Sequence, residues 1–137
     1  MLGAQQAWMD RSDRLDIAAG RRRHAMCRCL QRCRECAQLC RQLADECCRA
    51  QGSAEYRSVI GSSRLCAGVC DDLACALSNS DRLIEDIGPM LDSAVNVSVE
   101  CGDECDELGD ICIVGPRCGE ACRRLAVACL GLISALD

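Results

Sequence analysis

The sequence predicts an all-α fold, an antiparallel four-helix bundle with a cysteine-lined core and a short N-terminal helix. Cysteines recur at intervals of three, four and seven residues, which place side chains on one face of an α-helix. This spacing appears in four copies, and Gly88-Pro89 and Gly115-Pro116 separate the later copies. Repeated helical units joined by short connections are typical of antiparallel bundles.

The four cysteine stripes include thirteen of the sixteen cysteines in the 137-residue chain. The stripe of the first bundle helix is the most complete, and its five members lie within roughly 60° of arc around the helix. The stripe members are Cys29, Cys33, Cys36, Cys40 and Cys47 in the first helix, Cys66 and Cys70 in the second, Cys101, Cys105 and Cys112 in the third, and Cys118, Cys122 and Cys129 in the fourth. Leucine continues the stripes and is expected to form apolar patches at Leu73, Leu77, Leu108 and Leu125.

Start and stop signals along the chain define the predicted elements. Residues 1–20 are predicted to form an N-terminal helical extension that ends at Gly20, and residues 21–137 to form the bundle domain. A short helical turn is expected at 81–87, broken by Gly88-Pro89. The four bundle helices are predicted over residues 22–51, 54–77, 89–113 and 116–135.

The composition excludes several classes of protein. No apolar run approaches the roughly 20 residues that a membrane-spanning helix needs. The net charge is -5, and the basic first helix and acidic third helix carry no interleaved aromatic residues, which argues against nucleic-acid binding. These charged surfaces are expected to attract each other within or between subunits. With no Phe, one Trp and one Tyr, the core must consist largely of cysteine and small aliphatic side chains.

The high cysteine content raises the possibility of a secreted disulfide scaffold, which the sequence disfavours. The first ten residues lack the basic and apolar regions of a secretory signal, so a cytoplasmic location is expected. Reducing pools keep thiols reduced in that compartment. Cysteines in phase along one helix are also badly placed for disulfide geometry.

Metal binding explains the stripes better than a purely structural core. In a core, each cysteine fills less volume than a leucine would and is also a target for oxidation. Zinc and iron–sulfur sites usually need four converging ligands on closely spaced turns, and this pattern is missing from the sequence. His24, the single histidine, lies off the stripe. Cu(I) accepts two or three soft ligands, so cysteines on one helix or on facing helices could hold multiple Cu(I) ions.

Storage fits this arrangement better than catalysis. Many buried thiolates need neutralising cations, so loading with Cu(I) should release protons. The sequence indicates no acid–base pair or open coordination position that an enzyme would need. Met26 and Met90 lie close to the stripes and are candidates for metal entry, whereas the remaining cysteines lie off the stripes: Cys27, Cys48 and Cys75.

Three segments resemble the bacterial copper storage proteins. They are CLQRCRECAQLC from Cys29, CAGVC from Cys66 and CGEACRR from Cys118, within a resemblance that covers roughly residues 24–135. This resemblance implies a four-helix bundle that keeps Cu(I) on interior cysteines, homo-oligomers, and a cytosolic form without an export signal. It also allows a copper chaperone or copper enzyme as partner.

Two alternatives remain open at the level of sequence. One is a redox enzyme that uses a few cysteines for an iron–sulfur or copper cluster, and the other is a zinc-binding helical bundle. The sequence also departs from the family pattern at Leu108 and Leu125, where related stripes often continue with cysteine. These departures imply a reduced copper capacity.

Overall fold

The computed structural model describes residues 10–50, 53–79, 83–109 and 111–137. Over these ranges the chain forms four α-helices. A 3₁₀ turn at Ser53–Tyr56 comes directly before the second helix. The helices are α1 Asp10–Arg49, α2 Arg57–Ser78, α3 Leu83–Leu108 and α4 Gly115–Leu136. Each helix packs against its neighbours in the chain, and α4 closes the ring against α1. The predicted all-α bundle is confirmed.

Helices α3 and α4 approach each other closely at two glycines. A Cβ atom at Gly119 would lie 3.2 Å from the Cβ of Cys105, and a Cβ atom at Gly102 would lie 3.4 Å from the Cβ of Cys122. Both distances are tight, so larger residues would push the two helices apart. The glycines therefore keep the cysteines of α3 and α4 near the centre of the bundle.

Leucine and isoleucine fill the end of the bundle where α2 ends and α3 begins. The buried aliphatic side chains at this end, called the leucine end below, are Leu73, Leu77, Ile87, Leu91 and Leu132. Leu73 and Leu77 thus join an apolar patch, as predicted. Leu125 is buried among the cysteines farther along α4, and Leu108 is half-buried near the opposite end of the bundle. The four stripe leucines therefore do not share one patch. Because α2 and α3 are antiparallel, leucines near the C-terminal end of each helix lie at opposite ends of the bundle.

Helix α1 continues through Gly20, so the predicted stop at this residue is wrong. A glycine inside a helix costs only about 1 kcal/mol relative to alanine, and helix-favouring alanines precede it at positions 18 and 19. The predicted N-terminal extension at 1–20 falls partly on residues 1–9, which lie outside the described residues. The division into an extension and a bundle domain at residue 20 stays a prediction.

Helix α3 contains Pro89, so the predicted break at Gly88-Pro89 is also wrong. Proline removes one backbone hydrogen bond inside a helix. Ile87 and Leu91 lie four residues apart and are 3% and 0% exposed. Burial of two large side chains on one face offsets the lost hydrogen bond, because each contributes roughly 1.5–3 kcal/mol.

Helix α3 ends at Leu108, five residues before the predicted end. Gly109 follows with a φ of +60°, the left-handed conformation with which glycine commonly terminates helices. Cys112 consequently lies in the loop between α3 and α4, although its spacing predicted a place on the helix. It is still buried, since the loop turns its side chain inward.

The charged helices do not face each other within one chain. The basic α1 and the acidic α3 lie diagonally across the ring. Arg41 of α1 instead pairs with Asp71 of α2, and Arg123 of α4 pairs with Asp106 of α3 at 3.0 Å. The prediction that these two helices attract each other within one chain is therefore wrong, because α2 and α4 lie between them in the bundle.

No helix within the described ranges combines the length and the apolar character needed to cross a membrane.

We expect Leu73→Ala to lower the free energy of unfolding of the metal-free protein by about 2–5 kcal/mol, because it leaves a cavity at a fully buried position. Denaturant titration of the reduced protein measures this loss. Leu65→Ala on the same helix is the matched control, since Leu65 is 56% exposed and should change the value by less than about 0.5 kcal/mol. Equal effects of the two substitutions would contradict the assignment of Leu73 to the core.

Candidate metal centre

All thirteen cysteines of the predicted stripes are buried. Twelve lie on the four helices, and Cys112 lies in the loop before α4. The cysteines that were predicted to lie off the stripes, Cys27, Cys48 and Cys75, are exposed. The structure therefore brings the predicted residues together as a column of thiols along the bundle axis.

The middle of the column joins all four helices. The sulfur of Cys36 on α1 lies 3.8 Å from that of Cys66 on α2 and 3.7 Å from that of Cys122 on α4. One helical turn farther along α1, the sulfur of Cys40 reaches Cys101 of α3 at 4.0 Å. Helices α1 and α3 are diagonal neighbours, so the thiols bridge the centre of the ring.

Two groups of four sulfurs lie at this level, with all sulfurs of a group within 4.8 Å of one another. The first group contains Cys36, Cys40, Cys66 and Cys122, and the second contains Cys40, Cys101, Cys118 and Cys122. Cys40 and Cys122 belong to both groups, so a sulfur of either residue could bridge ions in adjacent positions. Sequence analysis did not predict this convergence of four thiols, because the thiols of each group come from three different helices.

The column continues in both directions from these groups. Toward the leucine end, Cys33 lies near Cys70 of α2, and the sulfur of Cys29 lies 3.7 Å from that of Cys129 on α4. Toward the other end, the sulfurs of Cys47 and Cys112 lie 3.6 Å apart. Thiols therefore extend over about five turns of α1, from Cys29 to Cys47.

Hydrogen bonds among the thiols distribute their protons unevenly. Hydrogen bonds with Cys105 and Cys118 lower the pKa of Cys101, because they stabilise its thiolate. Hydrogen bonds with Cys101 and Cys118, together with burial, raise the pKa values of both Cys40 and Cys105. A thiol with a lowered pKa gives up its proton more readily when a soft cation binds, and each further thiol that binds must also release its proton.

This chemistry favours a soft monovalent cation as the bound species. The groups that converge in the column are thiols, and thiolates select Cu(I) or zinc over hard cations. A buried array of thiolates without compensating charge would be strongly unfavourable. One monovalent cation per bridging thiolate removes that charge, so the column can fill progressively.

The comparisons with known proteins identify the family of this chain. A profile of the copper storage protein family matches residues 22–134, which is most of the chain. The chain belongs to the copper storage protein family. Among curated proteins, the comparison gave no match.

Solved structures of one copper storage protein match most of the chain. The cytosolic copper storage protein of Streptomyces lividans, in a structure with five coppers, is 33% identical, with a TM-score of 0.80. The match covers 84% of this chain and 97% of that chain. The same protein loaded with 10 copper equivalents is 32% identical, with a TM-score of 0.79, over 82% of this chain and 86% of that chain.

Histidine is one point of difference between this family member and the Streptomyces lividans protein. That protein also matches as a variant in which two histidines are replaced by alanine, with 32% identity. The present chain has one histidine, His24, which is exposed on α1 as the sequence predicted. The thiol column of this family member is therefore built without histidine in the described residues.

The methionines predicted for metal entry lie at one end of the column. Met26 of α1 and Met90 of α3 are both half-buried and pack against the core. Because α1 and α3 run in the same direction across the ring, both residues lie at the leucine end. A thioether sulfur is a soft ligand, so the two residues are suitably placed beside the outermost thiols.

Two buried serines in the column were missed by the sequence analysis. Ser63 and Ser98 are both 0% exposed. Each lies three residues before a stripe cysteine, so the same helical spacing could have identified them. The Ser63 hydroxyl lies 3.9 Å from the sulfur of Cys101, whereas the Ser98 hydroxyl donates to the carbonyl oxygen of Val95 at 3.0 Å. Ser63 thus contributes a hard oxygen to an otherwise soft set of atoms.

We expect the free energy of unfolding of the reduced, metal-free protein to fall as pH rises from about 9 toward 12. Burial, with the hydrogen bond to Cys112, raises the pKa of the Cys47 thiol from 9.0 to about 12. Between these values the unfolded chain loses the proton first, so higher pH favours unfolding.

Anaerobic denaturant titrations on either side of pH 9 measure this effect. Cys47→Ser should make the fall shallower, whereas Cys48→Ser, at the exposed adjacent position, should leave it unchanged. A free energy of unfolding that stays constant or increases through this window would contradict the raised pKa.

Proposed function

We propose that this chain stores Cu(I) in the column of buried thiols and binds several ions per chain. The observation that carries the proposal is the pair of four-sulfur groups that share Cys40 and Cys122, with further thiols above and below them. Family membership supports it, as does the loading of the related Streptomyces lividans protein with five and with 10 coppers.

The proposed metal ligands are the thirteen buried cysteines, and the proposed site of action is the cytosol. The related Streptomyces lividans protein is described as cytosolic. Reduced thiols are maintained in that compartment, which keeps the column able to bind. Delivery to or from a copper chaperone or copper enzyme, and assembly into a homo-oligomer, are part of the same proposal.

We propose storage without catalysis, and the surface of the molecule supports this. The described grooves between α1 and α4 are lined by exposed arginine, glutamate and glutamine side chains, and not by the buried thiols. Neighbouring sulfurs already surround each thiol in the middle of the column. Such sites have little room for a substrate beside the metal, which catalysis by a bound metal requires.

Zinc binding is the rival that the four-sulfur groups favour most directly. Zinc–thiolate bonds of about 2.3 Å in a tetrahedron place sulfurs about 3.8 Å apart. The sulfurs of Cys66 and Cys122 lie 3.8 and 3.7 Å from that of Cys36. The number of ions separates the two functions, because zinc takes four thiolates each and would fill the column at about three ions.

Anaerobic titration of the reduced chain with Cu(I) against a competing chelator tests the proposal, with a parallel titration with Zn(II). We expect clearly more Cu(I) than Zn(II) per chain, because thiolates can bridge Cu(I) ions. Cys40→Ser should lower the number of bound Cu(I) ions, since Cys40 belongs to both four-sulfur groups. Cys75→Ser, at an exposed position on α2, is the matched control and should leave the number unchanged. Binding of only one or two Cu(I) ions by the wild-type chain would refute storage.

We also propose that Met26 and Met90 lie on the route by which Cu(I) enters. Replacing both with leucine keeps the side-chain volume but removes the soft sulfur atoms. Stopped-flow mixing with chelator-bound Cu(I) should show uptake slowed several-fold, with an unchanged number of ions at saturation. An unchanged uptake rate would contradict the proposed route. A smaller number of Cu(I) ions bound at saturation would also contradict it and would indicate that the two methionines are storage ligands.

A further inference from the structure

The loop between α3 and α4 turns one side chain into the bundle and leaves its neighbours outside. Cys112 is 4% exposed, whereas Ile111 and Ile113 on either side of it are 69% and 86% exposed. Burial of these isoleucines therefore contributes little to the position of the loop. Backbone hydrogen bonds within the loop, from Ile111 to Leu108 and from Gly115 to Cys112, join Cys112 to its chain neighbours, and a further interaction joins the loop to α1.

Glu46, near the end of α1, supplies this interaction. Its carboxylate accepts hydrogen bonds from the backbone amides of Ile113 at 2.9 Å and Val114 at 3.3 Å. These amides precede the first turn of α4, where the helix dipole favours a negative charge. One carboxylate thus fixes the backbone directly after Cys112 to α1.

Cys47 follows Glu46 in the chain and is the partner of Cys112. The two sulfurs lie 3.6 Å apart, and no other sulfur in the described part of the chain is hydrogen-bonded to Cys47. Neither residue belongs to the four-sulfur groups. The fully buried Leu43 lies on α1 between Cys40 and Cys47, so an apolar side chain separates Cys47 from the next cysteine of the column on this helix.

We propose that Cys47 and Cys112 form a discrete two-coordinate Cu(I) site, and that Glu46 is the positioning residue that holds its loop ligand. The inference rests on the proposed storage function and concerns one end of the same column. With metal–sulfur bonds of about 2.3 Å, as in zinc thiolates, two sulfurs on one ion lie at most about 4.6 Å apart, and the observed 3.6 Å is within this limit. Because one ligand is on a loop, release of the Glu46 hydrogen bonds would open the site without unwinding a helix.

Serine variants of the two cysteines test the site in the full-length, reduced chain under anaerobic Cu(I) titration with a competing chelator. Cys47→Ser, Cys112→Ser and the double variant should each bind one ion fewer than the wild type. The second substitution removes nothing more, because a two-coordinate site fails when either ligand is lost. Cys48→Ser is the matched control and should lose no ion, since Cys48 is the exposed neighbour of Cys47.

Glu46 variants test the positioning role. Partners that orient metal ligands typically change affinity 10- to 100-fold when removed. Glu46→Ala should therefore lower the affinity for one Cu(I) ion by about that factor and leave the affinities for the other ions unchanged. Glu46→Gln should restore part of the lost affinity, because its side-chain carbonyl oxygen can still accept a hydrogen bond. Asp45→Ala removes the same charge from the adjacent exposed position and should have no such effect.

The outcomes separate the end site from the storage function. If the wild-type chain binds many ions but the single and double cysteine variants lose different numbers, the discrete site is wrong and storage stands. The positioning role is wrong if the Glu46→Ala and Asp45→Ala variants bind Cu(I) equally well. It is also wrong if Glu46→Ala lowers the affinity for all the ions together because the protein is less stable. A wild-type chain that binds only one or two ions overturns both the site and the storage function.

Discussion

The small volume of the cysteine side chain determines how closely the four helices of this bundle pack. Thiols of α1 and α3 reach each other across the diagonal of the ring, with the sulfurs of Cys40 and Cys101 only 4.0 Å apart. A leucine at this level would not fit into the same space. Gly102 and Gly119 complete the constraint, because they let α3 and α4 approach until cysteine side chains touch their backbones. The close packing of this copper storage protein family member therefore depends on the cysteines and glycines of its interior.

The same interior limits the charge that the bundle can hold. Arginine and acidic side chains form their ion pairs on the outside, as Arg123 and Asp106 do, and in the described residues no such pair reaches the thiols. Charge in the column must therefore be balanced by protons or by bound cations. In the metal-free state the protons do this, and the aliphatic layer around Leu73 and Leu91 supplies the burial that keeps the bundle folded.

The two ends of the column are built differently. At the leucine end, helices on all sides surround the last thiols, and the half-buried Met26 and Met90 lie beside them. At the other end a loop provides the last thiol, and the carboxylate of Glu46 holds that loop. An ion at the leucine end would be enclosed by helices, whereas an ion between Cys47 and Cys112 would have one partner on a loop that two hydrogen bonds join to Glu46 of α1.

The sequence by itself determined that the chain is helical and which cysteines of the helices face inward, because the 3.6-residue period is a local property that tertiary packing preserves. It was wrong at Gly20 and Pro89, where continued packing or neighbouring alanines outweighed a local helix breaker. The prediction that α3 extends through Cys112 was also wrong, since Gly109, which ends this helix, was not recognised as a stop. Only the tertiary structure decided which sulfurs meet, that Ser63 joins them, and that Glu46 fixes the loop. These contacts depend on the ring order and the axial alignment of the helices, and residues far apart in the chain set both through packing.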